Sequence, residues 1–146
     1  MTPHIVEVIA VLACTLFTGA AIYVTAVEHP ARLACGTEIA ATQWAPSYKR
    51  ATVMQASLAI VAGVFGIVRA AGGGGPLWLW GAILILAVVP FTLLVIRPTN
   101  NRLLEPGRDR RSADTRLLLE SWGRLHAVRT LLSLAASLLF VWAAAR

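Results

Sequence analysis

The stretch WGRLHAVRTLLSLAASLLFVW, residues 122–142, constrains the fold more than any other part of the chain. It is long enough to cross a bilayer, because a helix of about 20 apolar residues spans the hydrocarbon core. Just inside its start it carries His126 and Arg129. An ionisable side chain in such a helix is costly, so it faces a protein interior, a partner or a water-filled cavity. On a helix His126, Arg129, Thr130, Ser133 and Ser137 share one face, with Leu131, Leu134, Leu138 and Phe140 opposite. The stretch therefore reads as a helix with a lipid side and a bundle side, with a His and an Arg at the mouth of the bundle. The plainer alternative is that both residues lie at the membrane interface and only anchor the helix.

Three more apolar runs precede it. The spans fall at about residues 5–27, 51–71, 77–96 and 125–145, and the whole of 1–146 reads as one membrane domain. Only 14% of the residues are charged and 58% are hydrophobic, where a soluble domain carries about 25% charged residues. The predicted fold class is all-α, a four-helix transmembrane bundle with a short interfacial helix between spans one and two.

Along the chain, the first run lacks the basic leader of a signal peptide and is longer than its apolar segment. Val24-Thr25-Ala26, weakly similar to a cleavage site, is therefore kept in a transmembrane helix. Pro30 suits the first turn of a new helix. Residues 31–44 have helical character but too little hydrophobicity to span. Ala45-Pro46-Ser47 is expected to break that short helix, with Ser47 capping the second span. Ala59, Ala62, Gly63 and Gly66 form a small-residue face suited to close packing, inside the bundle or in a dimer. Gly72 to Gly75 with Pro76 is a turn; no strand precedes it, so it is not a phosphate loop. Pro90 is expected to kink the third span and Arg97-Pro98 to end it. Ser112 is expected to cap a helix that starts at Ala113 and continues through the fourth span.

The formal net charge of +6 does not point to nucleic acid, because the cations lie between apolar runs. Arg32, Lys49 and Arg50 fall between spans one and two. Arg97, Arg102, Arg108, Arg110, Arg111, Arg116 and Arg124 fall between spans three and four, against only Arg69 and Arg146 on the other side. The positive-inside rule puts both long loops in the cytoplasm and both termini outside. Usage of Ala, Leu and Arg points to a bacterial inner membrane. Cys14 and Cys35 are far apart in sequence, and neither a disulfide nor a zinc site is inferred from them.

This orientation brings polar and aromatic residues of four segments to one level of the bundle, where helix bundles build their sites. Glu28-His29-Pro30-Ala31-Arg32, then Trp44-Ala45-Pro46-Ser47-Tyr48-Lys49-Arg50-Ala51, Met54-Gln55, Pro98-Thr99-Asn100 and finally Trp122-Gly123-Arg124-Leu125-His126-Ala127-Val128-Arg129 resemble, in this order, the anthrone-oxygenase-like family of small four-helix membrane proteins. The resemblance covers nearly the whole chain. It implies a four-helix transmembrane bundle. For a few fungal and bacterial members it also implies oxidation of anthrones to anthraquinones by dioxygen, without an added organic cofactor. Most members have no assigned reaction.

Such a reaction needs a base, a group to hold the resulting anion, and a dry pocket. His126 or His29 can serve as the base. Arg129, Asn100 and Gln55 can stabilise the anion. Trp44, Tyr48 and Trp122 can stack on a flat substrate. The expected catalytic set is His126, His29, Glu28 and Arg129. The expected substrate-binding set is Trp44, Tyr48, Arg50, Gln55, Asn100 and Trp122. Expected partners are the lipid bilayer, a small hydrophobic aromatic substrate and dioxygen, with oligomerisation open. A second reading makes Glu28, His29 and His126 ligands of iron, copper or zinc, since imidazoles with a carboxylate suit such metals. Adjacent residues on a regular helix point about 100° apart, which weakens that set. A third reading is a non-catalytic structural or accessory bundle, with Glu28 paired to Arg129 or Arg32.

Overall fold

A computed structural model describes residues 2–146 as four long helices, with no strand among the described residues. The helices are α1 (Pro3–Ala34), α2 (Thr37–Gly74), α3 (Pro76–Leu103) and α4 (Ala113–Ala144), and each is long and apolar enough to cross a membrane. The all-α, four-helix expectation holds. α1 packs on α2 and α4, and α3 packs on the same two helices, while α2 and α4 meet little across the diagonal. Short turns make sequence neighbours antiparallel. The chain reverses at Cys35–Gly36 and again at Gly73–Gly75, where Gly36, Gly73 and Gly75 have φ of 92°, 88° and 90°. Only glycine takes that left-handed backbone without steric cost.

The core has two parts. Phe17, Trp78, Ile85 and Phe140 fill one of them together with alanines of all four helices, so Phe140 belongs to the bundle side of the last span and not to the lipid side expected for it. The small face of α2 is used inside the bundle: a Cβ at Gly66 would lie 2.6 Å from Phe140 Cζ, and one at Gly63 would collide with Leu86. The second part joins Val24, Ala40, Trp44, Ile96, Leu119 and Trp122 nearer the arginine-rich end.

The helix boundaries correct several expectations. No separate helix lies across residues 31–44. These residues are helical, but they are divided between the end of α1 and the start of α2 by the turn at Gly36. Neither Pro30 nor Pro98 starts or stops a long helix. Residues Val24–Glu28 widen into a π turn just before His29-Pro30, and the His29 amide reaches back to the Val24 carbonyl. Thr92–Ile96 does the same before Arg97-Pro98, with the Arg97 amide on the Thr92 carbonyl. A proline has no amide hydrogen, and its ring crowds the carbonyl four residues back. The wider turn makes room for the ring, so the helix runs on. Pro46 likewise lies inside α2, and Ser47 is not its cap. Hydropathy marked where the chain is apolar enough to span, not where its helices stop.

The start of α4 follows the sequence reading. Ser112 caps it, its Oγ accepting from the Thr115 amide at 3.2 Å. Residues 104–112 are fastened at this end of the bundle. Arg108 Nη1 donates to Asp114 at 2.7 Å, and Arg111 Nε donates to Glu38 at 2.8 Å. The Asp114 hydrogen bond raises the Arg108 pKa above its ordinary value.

Candidate functional site

The polar face of α4 is matched by hydroxyls on α1. Thr18 Oγ1 donates to the Ser133 carbonyl at 3.0 Å and lies 2.9 Å from Ser137 Oγ. Further along, Thr25 Oγ1 lies 3.0 Å from His126 Nδ1 and 2.8 Å from Thr130 Oγ1. Thr130 has two carbonyls in reach, Ala21 at 3.2 Å and His126 at 3.3 Å. A carbonyl only accepts, so the one hydroxyl proton of Thr130 goes there. Thr130 Oγ1 then accepts from Thr25, which uses up the Thr25 proton. Thr25 Oγ1 must in turn accept from His126, so Nδ1 carries the His126 proton. Nε2 is left as an unprotonated acceptor.

His126 borders a small cavity of about 20 Å³ shared by α1, α2 and α4, along with Tyr48, Gln55, Trp122 and Arg129. Aromatic rings form one side of this region. Trp44 stacks on Tyr48 at 4.9 Å and meets Trp122 edge-on at 5.7 Å. Trp122 lies between the two imidazoles, 5.0 Å from His29 and 4.9 Å from His126.

Arg129 is 9% exposed. Its Nη2 donates to Gln55 Oε1 at 2.9 Å, and its guanidinium lies 5.6 Å from the centre of the Phe17 ring. Its Nε has no partner, and no carboxylate among the described residues forms an ion pair with it. A buried cation in that state favours an anion brought by a ligand.

The other expected site residues are placed differently. His29 does not line the cavity. Its Nε2 donates to the Leu119 carbonyl at 2.9 Å, behind Trp122, and its Nδ1 is buried without a partner. Glu28 pairs with Arg32 rather than Arg129, and it accepts from Gln43 at 2.9 Å and Ser47 at 3.0 Å. It ties the end of α1 to the start of α2. Trp44 is buried behind Tyr48, and Asn100 is buried with both amide atoms unpartnered. Arg50 is exposed and does not join them. No group of three or more His, Cys, Asp or Glu side chains among the described residues is placed to hold a metal ion. Glu28, His29 and His126 are not brought together, with His29 behind Trp122 and Glu28 on Arg32, so the proposed metal donor set does not fit.

Thr25 was missed as a site residue. Its signal was present: Thr18 and Thr25 are one heptad apart on α1, opposite the polar face of α4. A second contact was invisible in the sequence. A Cβ at Gly123 would lie 2.7 Å from both Nε2 and Cδ2 of His29. Gly123→Ala is therefore expected to push the His29 ring off the Leu119 carbonyl and destabilise the fold by about 1–3 kcal/mol, the usual cost of overpacking. Thermal unfolding in detergent checks this; an unchanged melt would mean that the ring is free to move.

Comparison with known proteins gives a consistent result. The sequence pattern of a family described as anthrone oxygenase matches residues 44–139. An anthrone oxygenase of Claviceps purpurea is 30% identical over 151 residues, covering 94% of this chain and 87% of that protein. One from Aspergillus fumigatus is 40% identical over 74 residues, 49% of this chain and 46% of the relative, so the chain matches about half the length of that protein. One from Aspergillus novofumigatus is 33% identical over 106 residues, 66% of this chain and 65% of the relative. No solved structure matches the chain significantly.

Proposed function

Because the chain belongs to the anthrone oxygenase family, we propose that it is an integral membrane oxygenase that oxidises a flat, anthrone-type aromatic with dioxygen. The cavity bordered by His126 and Arg129 is the reaction site in this reading. One observation carries it: a histidine with a free ring nitrogen and a cation without a carboxylate face the same aromatic-walled cavity.

His126 Nε2 takes a proton from the methylene between the two aromatic rings of the anthrone. The charge moves to the carbonyl oxygen, making an enolate. Arg129 stabilises that oxygen. Because Gln55 Oε1 is committed to Arg129, the amide nitrogen of Gln55 is the donor left to assist. Tyr48 and Trp122 offer ring faces to a planar substrate. The carbanion carbon then bonds to dioxygen, and the peroxide anion so formed takes back the proton held by His126. The resulting hydroperoxide loses water and leaves a second carbonyl. One dioxygen is consumed per anthrone, with one oxygen atom in the quinone and one in water. The electrons come from the substrate, so the scheme calls for no organic cofactor.

In this reading the arginine-rich end is cytoplasmic and both termini are outside; the count of cations at the two ends supports it. The relatives named above are fungal, and the bacterial inner membrane rests on Ala, Leu and Arg usage alone.

The test uses the protein in lipid nanodiscs, supplied with anthrone under oxygen. Anthraquinone is expected to form faster than with empty nanodiscs, at one dioxygen per anthrone. A rate equal to that of empty nanodiscs would refute the assignment.

A further inference from the structure

Arg129 borders a second cavity. This one is larger, about 100 Å³, and lies between α2 and α3, with Ala56 and Ala59 on one wall and Val88, Val89 and Leu93 on the other. Leu93 is 53% exposed, so this wall reaches the apolar outer surface of the helices, the surface that hydrocarbon would cover. Thr52, Gln55 and Arg129 line both cavities. The Arg129–Gln55 pair is thus the partition between an apolar space that opens sideways and the polar space at His126.

A guanidinium at such a partition is expensive unless something completes its hydrogen bonds. Within the protein it has the Gln55 oxygen and the Phe17 ring, and its Nε has neither. The complementary ligand has two parts, a flat apolar body for the alanine and valine walls and an anionic oxygen for Arg129.

We propose that the α2–α3 cavity is a lateral binding site through which a flat aromatic with an acidic oxygen enters the protein from the bilayer as the neutral acid, its oxygen on Arg129 and its rings against Ala56 and Val88. This deepens the reaction proposed above and rests on it for what happens after the ligand passes Gln55. The uptake site itself stands on the two cavities and on the arginine whose Nε has no partner.

The probe is anthracene-9-carboxylate, added to the protein in nanodiscs made with or without lipids brominated on their acyl chains. Saturable binding is expected, with probe fluorescence quenched by the brominated chains. Ala56→Phe, which fills the cavity, and Arg129→Gln, which removes the cation, are each expected to weaken binding about tenfold or more, the worth of a charge-assisted contact. Leu93→Trp alters only an exposed rim residue and is expected to weaken binding with the melt unchanged. Binding unaffected by both Ala56→Phe and Leu93→Trp, or a bound probe that bromine does not quench, overturns the lateral site. Probe binding at the groove without anthrone oxidation would refute the reaction and keep the site. Anthrone oxidation with kcat/KM unchanged in Ala56→Phe and Leu93→Trp would do the reverse.

Discussion

Replacing His126 with glutamine is expected to cut anthrone turnover by about 10²- to 10⁴-fold, the range for a positioned general base. Glutamine keeps an N–H for Thr25 Oγ1, the atom that His126 Nδ1 now meets at 3.0 Å, and it offers no nitrogen lone pair to the cavity. The loss should therefore fall on kcat. KM should change little, because Tyr48, Trp122 and Arg129 still border the cavity. Steady-state rates with the spontaneous oxidation subtracted decide this, alongside a thermal melt that shows the variant to be folded. Full turnover in a folded variant would move proton removal to another group. His29 would then be the next imidazole to consider, but it lies behind Trp122 with Nε2 committed to Leu119.

Arg129→Met is expected to move activity and stability in opposite directions. Methionine has a similar reach and keeps an apolar contact with Phe17, but it cannot hold an enolate oxygen. Loss of one such donor costs turnover about 10²- to 10³-fold. The fold, by contrast, is relieved of a buried guanidinium that has no carboxylate partner. Replacing buried charge with apolar groups of similar volume is often neutral or stabilising, by about 1–4 kcal/mol. Gln55 loses its donor, worth about 1 kcal/mol, so the melting temperature should be equal to or above that of the parent. A less stable variant that still turns over anthrone would show Arg129 to be a structural tie rather than part of the reaction.

The four spans were legible because uninterrupted apolar runs have few alternatives. So was the pairing of His126 with Arg129 on one face, since they are three residues apart on one regular helix. What the sequence conveyed less well was direction around a helix axis. His29, Trp44, Arg50 and Asn100 were grouped because they fall at one depth. Depth is set by hydropathy, but whether a side chain faces a cavity is set by rotation. Arg50 is turned outward and His29 is screened by Trp122. Prolines gave the other misreading. The rule that a proline ends a helix is local, and at Pro30 and Pro98 the preceding turn absorbs the ring. The lack of a carboxylate near Arg129 was not legible either. Glu28 is near it in the ordering of ends, yet it is drawn to Arg32, Gln43 and Ser47.

The two widened turns also say where this scaffold tolerates a change of length. A π turn holds about one more residue than the α-helical turn it replaces, over nearly the same rotation and rise. Losing one residue from Val24–Glu28 would crowd the Pro30 ring, yet it would return the turn to a regular helix and leave Arg32 facing the cavity it lines. The same loss in Thr92–Ile96 would leave Asn100 buried. Elsewhere in these spans a lost residue would rotate everything beyond it by about 100°. The widened turns are thus the places where single residues can come and go while the site keeps its geometry.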